Sequence, residues 1–337
     1  MQYKKKSGVI LFLLICIFVL IIDSKTALAG ARDGFEICLK TVIPSLLPFI
    51  VLTGYLNAHL AGTNICWLKP LDRFIGIPVG AESALLLGFL GGYPAGAQNV
   101  YELYNSDCIS RQSARRMLGF CNNAGPSFIF GMTSILFTNA VTPWLLWLIQ
   151  ILSAIIVGSL LPDKEQAVCR ASRCNAISMP TAVENGTKII TVICGWVILF
   201  RILVTFLQNW FLWMFSREIQ IAVIGFFELA NGCYELQKIP NEGLRFILCS
   251  GILSFGGISV MMQTGSVCGK LGTGSYLFGK VLQCAICVTA SYVLQFFLFP
   301  QPYSSSAMLI ISIAISFVIL CTVRIQNKVK KFIAIPA

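Results

Sequence analysis

The residues of this chain that could bind a ligand share one setting: most of them lie in or beside glycine- and proline-containing interruptions of apolar segments. They are Gly91, Gly92, Tyr93, Gln98, Asn122, Asn123, Glu228, Asn231 and Gln263, together with Arg201 inside an apolar segment. Their amide, phenol and charged groups can form hydrogen bonds to a carboxylate or a heterocycle. Because no nucleophile–base pair is visible, we expect solute binding or transport and no enzymatic activity.

A metal site or a disulfide framework is not expected. The chain has 14 cysteines and one histidine, His59, and most cysteines, such as Cys194 and Cys249, stand singly in apolar runs. Isolated cysteines of this kind pack as small hydrophobic residues. No CxxC pair is matched by a second pair or by histidines at metal-ligand spacing. We therefore expect no metal and no other cofactor.

The composition indicates that the apolar segments lie in a membrane. Hydrophobic residues make up 56% and charged residues 12% of the 337 residues, and the mean hydropathy is +0.79, whereas soluble domains carry about 25% charged residues. The formal charge of +11 does not indicate nucleic-acid binding, because the basic residues fall between apolar segments. We expect a multi-pass protein of the cell membrane. Its partners would be the bilayer and a small solute, and homo-oligomer formation is compatible with this interpretation.

The apolar segments predict an all-α integral membrane fold with about eight transmembrane helices and two re-entrant hairpins. The predicted spans are residues 8–22, 41–60, 117–137, 142–161, 188–207, 242–265, 275–299 and 307–323, and the hairpins are residues 81–104 and 219–235. The first span is preceded by lysines and followed by Ala27-Leu28-Ala29, a signal-peptide pattern; we expect residues 1–35 to form an uncleaved anchor.

Four interruptions of the apolar pattern are predicted to form the functional site. They lie at residues 91–94, 121–126, 228–232 and 254–259. Unpaired backbone groups cost several kcal/mol each in lipid, so irregular backbone is tolerated only where it is buried in protein or lines a wet cavity. The half-helices around the first interruption have about ten residues each, too few to cross a core of about 30 Å alone. Alternatively, the amide side chains at the interruptions merely cap half-helices.

The same order of span, broken hairpin, broken span and span occurs twice. The first repeat covers residues 36–161 and the second residues 188–299; a cytoplasmic linker, 162–187, separates them, and a final span with a basic tail, 300–337, follows. The two halves share their hydropathy pattern and the positions of their interruptions, but their amino-acid sequences are not similar. Such an arrangement, with three crossings in each half, predicts an inverted repeat like those of secondary transporters.

The distribution of basic residues predicts the orientation of the chain. With both hairpins re-entrant, most lysines and arginines fall on the cytoplasmic side together with both termini, as the positive-inside rule requires. In this scheme the loop with Arg111, Arg115 and Arg116 is cytoplasmic, and Lys188 and Lys280 mark the cytoplasmic ends of their spans. Arg201 is then the basic residue left within a span.

Several motifs together resemble one family. They are PSLLPF at 44–49, GGYPAGA at 91–97, CNNAGP at 121–126, Glu228 with NGC at 231–233, and SFGGISVMMQ at 254–263. As a set, over roughly residues 36–299, they resemble the sporulation integral membrane protein family of endospore formers (YlbJ type), built of nucleoside-recognition or Gate-type repeats. The resemblance implies a fold like that of concentrative nucleoside transporters. Because a member is implicated in moving dipicolinic acid, it also implies transport of that compound or a similar anionic aromatic carboxylate during sporulation.

The sequence leaves alternatives open. Arg201 would bind the solute, or it would be neutralised by a carboxylate such as Glu228 or by carbonyls of a broken helix; Glu228 itself would bind a cation, accept a proton or pair with Arg201. Tyr93 would stack on an aromatic ring or only pack beside Pro94. The protein would otherwise transport a nucleoside or nucleobase, or be a non-transporting membrane assembly protein of sporulation.

Overall fold

The computed structural model describes residues 2–60, 65, 68–78, 80–161 and 177–304, and this part of the chain is α-helical without a β-strand. Its helices are α1 Gln2–Ile22, α2 Ser24–Ile37, α3 Ile43–Leu60, α4 Lys69–Ile75, α5 Glu82–Leu90, α6 Ala95–Asn105, α7 Arg111–Cys121, α8 Pro126–Thr133, α9 Thr142–Leu160, α10 Met179–Trp210, α11 Arg217–Phe227, α12 Leu229–Glu235, α13 Glu242–Phe255, α14 Gly257–Cys268 and α15 Gly274–Leu298. A π-helical turn, Cys38–Val42, joins α2 to α3.

Five helical stretches in the described part are long and apolar enough to cross a membrane. They are Ser24–Leu60, Thr142–Leu160, Met179–Trp210, Glu242–Cys268 and Gly274–Leu298. The predicted first span corresponds to a shorter apolar helix, Ser7–Ile22. The predicted span 117–137 is divided into α7 and α8, each too short to cross alone, and the predicted span 307–323 lies outside the described residues. These helices agree with a multi-pass membrane protein.

The charged segment before the predicted span 41–60 is helical, where the sequence had predicted a connection between spans. Asp23 caps the beginning of α2: its side chain accepts a hydrogen bond from the amide of Thr26 (3.2 Å). It then packs on α10 through Gly30 and Gly34, where a Cβ at Gly34 would lie 2.9 Å from the Cα of Ile198. Small residues allow such close approach of membrane helices, and the packing extends the helix to Ser24.

Part of the predicted cytoplasmic linker is also helical. Residues 179–187 form the first turns of α10, whereas residues 162–176 lie outside the described part of the chain. The side chain of Ser178 caps the helix by accepting a hydrogen bond from the amide of Thr181 (3.4 Å), and Pro180 suits the first turn. Glu184 and Lys188 add an ion pair one turn apart (2.6 Å).

The interrupted helices have two different shapes. Helices α5 and α6 pack side by side, as do α11 and α12, so both pairs are tight hairpins. Helices α7 and α8 do not pack along each other in this way, nor do α13 and α14. In the first hairpin Gly88 and Gly96 both lie against the carbonyl group of Cys121, and in the second Gly225 lies against Gly232. The structure thus distinguishes two tight hairpins from two pairs of helices that do not fold back on each other, and whether the hairpins are re-entrant stays a prediction.

Candidate solute site

The four interruptions meet at one place in the structure. A Cβ on Gly92 would lie 2.7 Å from the amide nitrogen of Gly125, so the interruptions 91–94 and 122–125 touch through their backbones. A Cβ on Gly256 would lie 3.1 Å from the ring of Tyr93, which joins the interruption of α13 and α14 to the first hairpin. These three interruptions therefore lie next to one another.

The fourth interruption joins through Glu228. A Cβ on Gly257 would lie 3.2 Å from the Cα of Glu228, which stands in extended conformation between α11 and α12. Gly92, Gly256 and Gly257 have φ angles of +75°, +80° and +83°. Glycine alone adopts this region without strain from a Cβ. The three glycines therefore bend the chain and also allow the backbones of neighbouring interruptions to come close to each other.

A cavity of about 30 Å³ lies between the interruptions. It is lined by Val42, Leu46, Gly92, Tyr93, Ala124, Gly125, Phe128, Ile193, Val197, Glu228, Leu229, Ala230, Val260 and Gln263. This volume suits about one or two water molecules. Binding of an aromatic dicarboxylate would therefore require the surrounding helices to separate.

Glu228 gives the cavity a carboxylate. The side chain is 3% exposed, and its Oε2 accepts a hydrogen bond from the amide of Asn231 (2.6 Å), which caps α12. Within the described part of the chain, no basic side chain forms a salt bridge with it at 4 Å or less. Asn231 donates its Nδ2 to the carbonyl of Val197 (3.3 Å), while its Oδ1 is buried and lacks a partner among the described residues.

Arg201 does not pair with Glu228, so that possible pairing is wrong. Its guanidinium donates to Glu235 (2.8 Å) and to Asp33 (3.0 Å), and Glu235 also binds Lys238 (2.6 Å). Arg201 is not among the cavity-lining residues. The hydrogen bonds connect α10 to α2 and α12, and two carboxylates are close enough to neutralise the arginine, which favours the structural interpretation of this residue.

Asn122 and Gln98 form hydrogen bonds within the protein and do not line the cavity. Asn122 is fully buried; its Oδ1 accepts from the amide of Ala97 in the first turn of α6 (3.2 Å) and its Nδ2 donates to Thr264 (3.0 Å). This is a helix cap supplied from another segment. Gln98 donates to Glu102 on the same helix (3.0 Å). Gly91 is buried and contributes its backbone to the contact with Gly125.

Lys280 is the residue that the sequence interpretation placed wrongly. It was expected at the cytoplasmic end of a span, but it is fully buried within α15. Its Nζ donates to Gln283 Oε1 (2.6 Å), Asn123 Oδ1 (3.0 Å) and the phenol oxygen of Tyr93 (3.4 Å). The Tyr93 hydroxyl in turn donates to the carbonyl of Leu253 (3.3 Å). Lys280 is the seventh of the 25 residues of α15. Buried ionisable residues within membrane helices are costly and mark functional sites by default, so this placement points to function.

Gln283 extends the polar network to α9. Its Nε2 lies 2.9 Å from Asn123 Oδ1, 3.2 Å from the carbonyl oxygen of Gln150 and 3.3 Å from Ser153 Oγ. The signal that could have revealed this network is the spacing of Lys280 and Gln283, three residues apart in an apolar helix. Residues at this spacing share a helix face, and polar residues inside a span face protein or water.

A comparison with characterised proteins finds the sporulation integral membrane protein YlbJ of Bacillus subtilis (strain 168), which is 29% identical to this chain over 153 residues. The match covers 44% of this chain and 37% of YlbJ. No protein-family model and no solved structure matches the chain. The chain is therefore similar, over part of its length, to a sporulation integral membrane protein, in agreement with its long apolar helices.

Proposed function

We propose that this protein is a transporter, not an enzyme, and that it moves a small organic solute across a membrane during sporulation. The solute in this proposal is dipicolinic acid or a similar anionic aromatic carboxylate. The sporulation setting rests on the motifs at residues 44–49, 91–97, 121–126 and 254–263 and on the partial similarity to YlbJ. The transport role rests on the geometry of the interruptions.

The observation that carries the proposal is the meeting of four helix interruptions, three of which contribute residues to the lining of one cavity. Helix ends within a membrane leave N–H and C=O groups without intrahelical partners, and these groups can bind a polar solute. Helix α8 begins directly after the cavity-lining Gly125, so the positive end of its dipole lies near the cavity. Transporters built from interrupted helices bind their substrates in such places.

The helix contacts support two equivalent halves, which in this proposal form an inverted repeat, an arrangement that suits alternating access. In the two repeats α3, α5–α6, α7–α8 and α9 correspond in order to α10, α11–α12, α13–α14 and α15. The contact of α6 with α14 then has its equivalent in that of α12 with α8, and the contact of α7 with α15 has its equivalent in that of α13 with α9. Contacts of α3 with α5 likewise correspond to those of α10 with α11. In this proposal each half supplies equivalent surfaces to the other, and the cavity opens alternately to the two sides of the membrane as the halves rock.

An uptake assay tests the proposal. The purified full chain is reconstituted in liposomes, and uptake of labelled dipicolinate and of labelled uridine is compared with that of protein-free liposomes. Saturable dipicolinate uptake without uridine uptake is expected. Uridine uptake without dipicolinate uptake would favour the nucleoside alternative, and a folded protein that transports neither would favour an assembly role.

A further inference from the structure

We propose that Lys280 is the anion-recognition residue of the solute pathway: its ammonium group, held by Asn123, Gln283 and Tyr93 beside the cavity, pairs with a carboxylate of the solute. The inference rests on the proposed function in taking the solute to be a small organic anion. It adds the residue that would distinguish such an anion from a neutral solute.

The first argument is that no counter-charge for the ammonium form of the lysine lies near it. Each of its side-chain hydrogen-bond partners is neutral, and within the described residues no carboxylate lies within 4 Å of Nζ. Amide and phenol oxygens satisfy the N–H donors but do not neutralise the charge. Arg201, which is also buried, binds two carboxylates instead. An anionic solute would supply the counter-charge that Lys280 lacks.

The second argument is the position of Lys280 next to the cavity. The ring of Tyr93 lies 5.3 Å from Nζ and also lines the cavity. Asn123, which accepts a hydrogen bond from the lysine, directly precedes the cavity-lining residues Ala124 and Gly125. Tyr93 therefore contacts both the ammonium group and the cavity. The flexible lysine stem can extend toward a carboxylate once the Tyr93 ring moves.

The third argument is a basic surface cleft at the beginning of the same helix. The cleft has a volume of about 610 Å³, and its lining includes Arg111, Arg115 and Arg116 together with Ser275 and Phe278 of α15. A cleft lined by positive charges raises the local concentration of anions, and its volume lies in the range typical of small-molecule sites. Helix α15 thus leads from a basic cleft to the buried ammonium group.

Lys280→Gln and Gln283→Glu test the inference in opposite ways. The first removes the charge and keeps hydrogen-bonding capacity. The second keeps the lysine and places a carboxylate oxygen where Oε1 now lies 2.6 Å from Nζ, so the charge is neutralised within the protein. Its other carboxylate oxygen replaces Nε2 and faces Asn123 Oδ1 and the carbonyl oxygen of Gln150, so some stability is lost at the same time. The matched control is Lys188→Gln, because Lys188 has a 69% exposed side chain and the sequence suggested the same span-end role for both lysines.

Each variant is assayed as the full chain, for dipicolinate uptake in liposomes and for the rise of the thermal unfolding midpoint that dipicolinate causes in detergent. We expect the two test variants to bind dipicolinate about tenfold more weakly or worse, the usual effect of removing a charge-assisted hydrogen bond. Uptake at subsaturating dipicolinate should fall by that factor, and a given midpoint shift should require that much more dipicolinate; both should stay unchanged in Lys188→Gln. The Gln283→Glu variant loses the donor Nε2 but keeps the lysine and gives it a counter-charge, so its unliganded midpoint should fall less than that of Lys280→Gln. It therefore decides the question if Lys280→Gln does not fold.

The outcomes separate this inference from the transport proposal. Wild-type uptake that persists in either folded test variant overturns the role of Lys280 and leaves transport intact. A midpoint shift that depends on Lys280, without uptake by the wild type, supports the anion site and contradicts transport. A wild type that neither binds nor takes up dipicolinate contradicts both.

Discussion

Arg201 and Glu235 form a buried ion pair in which 2.8 Å separates Nη1 from Oε1. The side chain of Glu235 is 2% exposed, whereas Asp33, the second partner of the arginine, is 51% exposed. The pair joins α10 to the end of the second hairpin, and it neutralises the arginine within the protein. Arg201 is therefore expected to hold the hairpin in place without contacting the solute.

Breaking this pair from one side should destabilise the protein more than removing both charges. A buried charge left without any partner typically costs about 3–5 kcal/mol. Arg201→Gln leaves Glu235 with Lys238 and Glu235→Gln leaves Arg201 with Asp33, so each should cost less than that, and the double variant should recover part of the loss. The measurement is a double-mutant cycle on abundance and thermal midpoint. Asp33→Asn is the control and should cost less than about 1 kcal/mol because Asp33 is half exposed. Additive single effects would contradict the assignment.

Glu228 is expected to have separable structural and functional roles. Its carboxylate caps α12 through the amide of Asn231. Glu228→Gln keeps an oxygen for the cap and should retain the thermal midpoint, whereas Glu228→Leu removes the cap and should cost about 0.5–2 kcal/mol. If the charge takes part in cation or proton coupling, the uptake by Glu228→Gln should no longer respond to an imposed ion or proton gradient. Equal stability of the two variants would show that the cap is unimportant.

The orientation of the chain can be tested with reporter tags. With both hairpins re-entrant, tags near Gln112 and Ala171 should report the cytoplasmic side and a tag near Asn139 the opposite side, because the basic loops stay inside. Protease protection or a localisation-dependent reporter provides the measurement. A tag near Gln112 on the outer side would contradict the inverted-repeat arrangement.

The interruptions at residues 91–94 and 122–125 could be predicted because glycine and proline break helices locally, and the structure breaks α5–α6 and α7–α8 there. The second-half interruptions are narrower than predicted. Only Glu228 and Gly256 separate the helices on either side of them, since a capping side chain at Glu228 and a left-handed glycine suffice to turn the chain.

Contacts between distant segments were harder to predict. The sequence offers several carboxylates to Arg201, and helix packing selects Glu235 and Asp33. Lys280 was placed at a span end because a basic residue near the beginning of an apolar segment usually marks the membrane surface. The neutral acceptors that keep it buried come from α15 itself and from two interruptions far away in the sequence. Hydropathy does not report such partners.

The claim that the meeting point of the interruptions is the transport site is tested most directly at Gly92. A leucine there would have to adopt a φ near +75°, and its Cβ would stand 2.7 Å from the amide nitrogen of Gly125. Gly195→Leu is the matched control, because a Cβ on Gly195 would meet nothing within 4 Å. Both changes leave the apolarity needed for insertion intact.

The measurement is dipicolinate uptake per inserted protein in liposomes that contain wild type, Gly92→Leu or Gly195→Leu, with the thermal midpoint recorded for each. The account predicts that Gly92→Leu inserts at the level of the control and loses uptake, while Gly195→Leu transports like the wild type. Wild-type uptake by Gly92→Leu would contradict the account, because the bend would then lie away from the path of the solute.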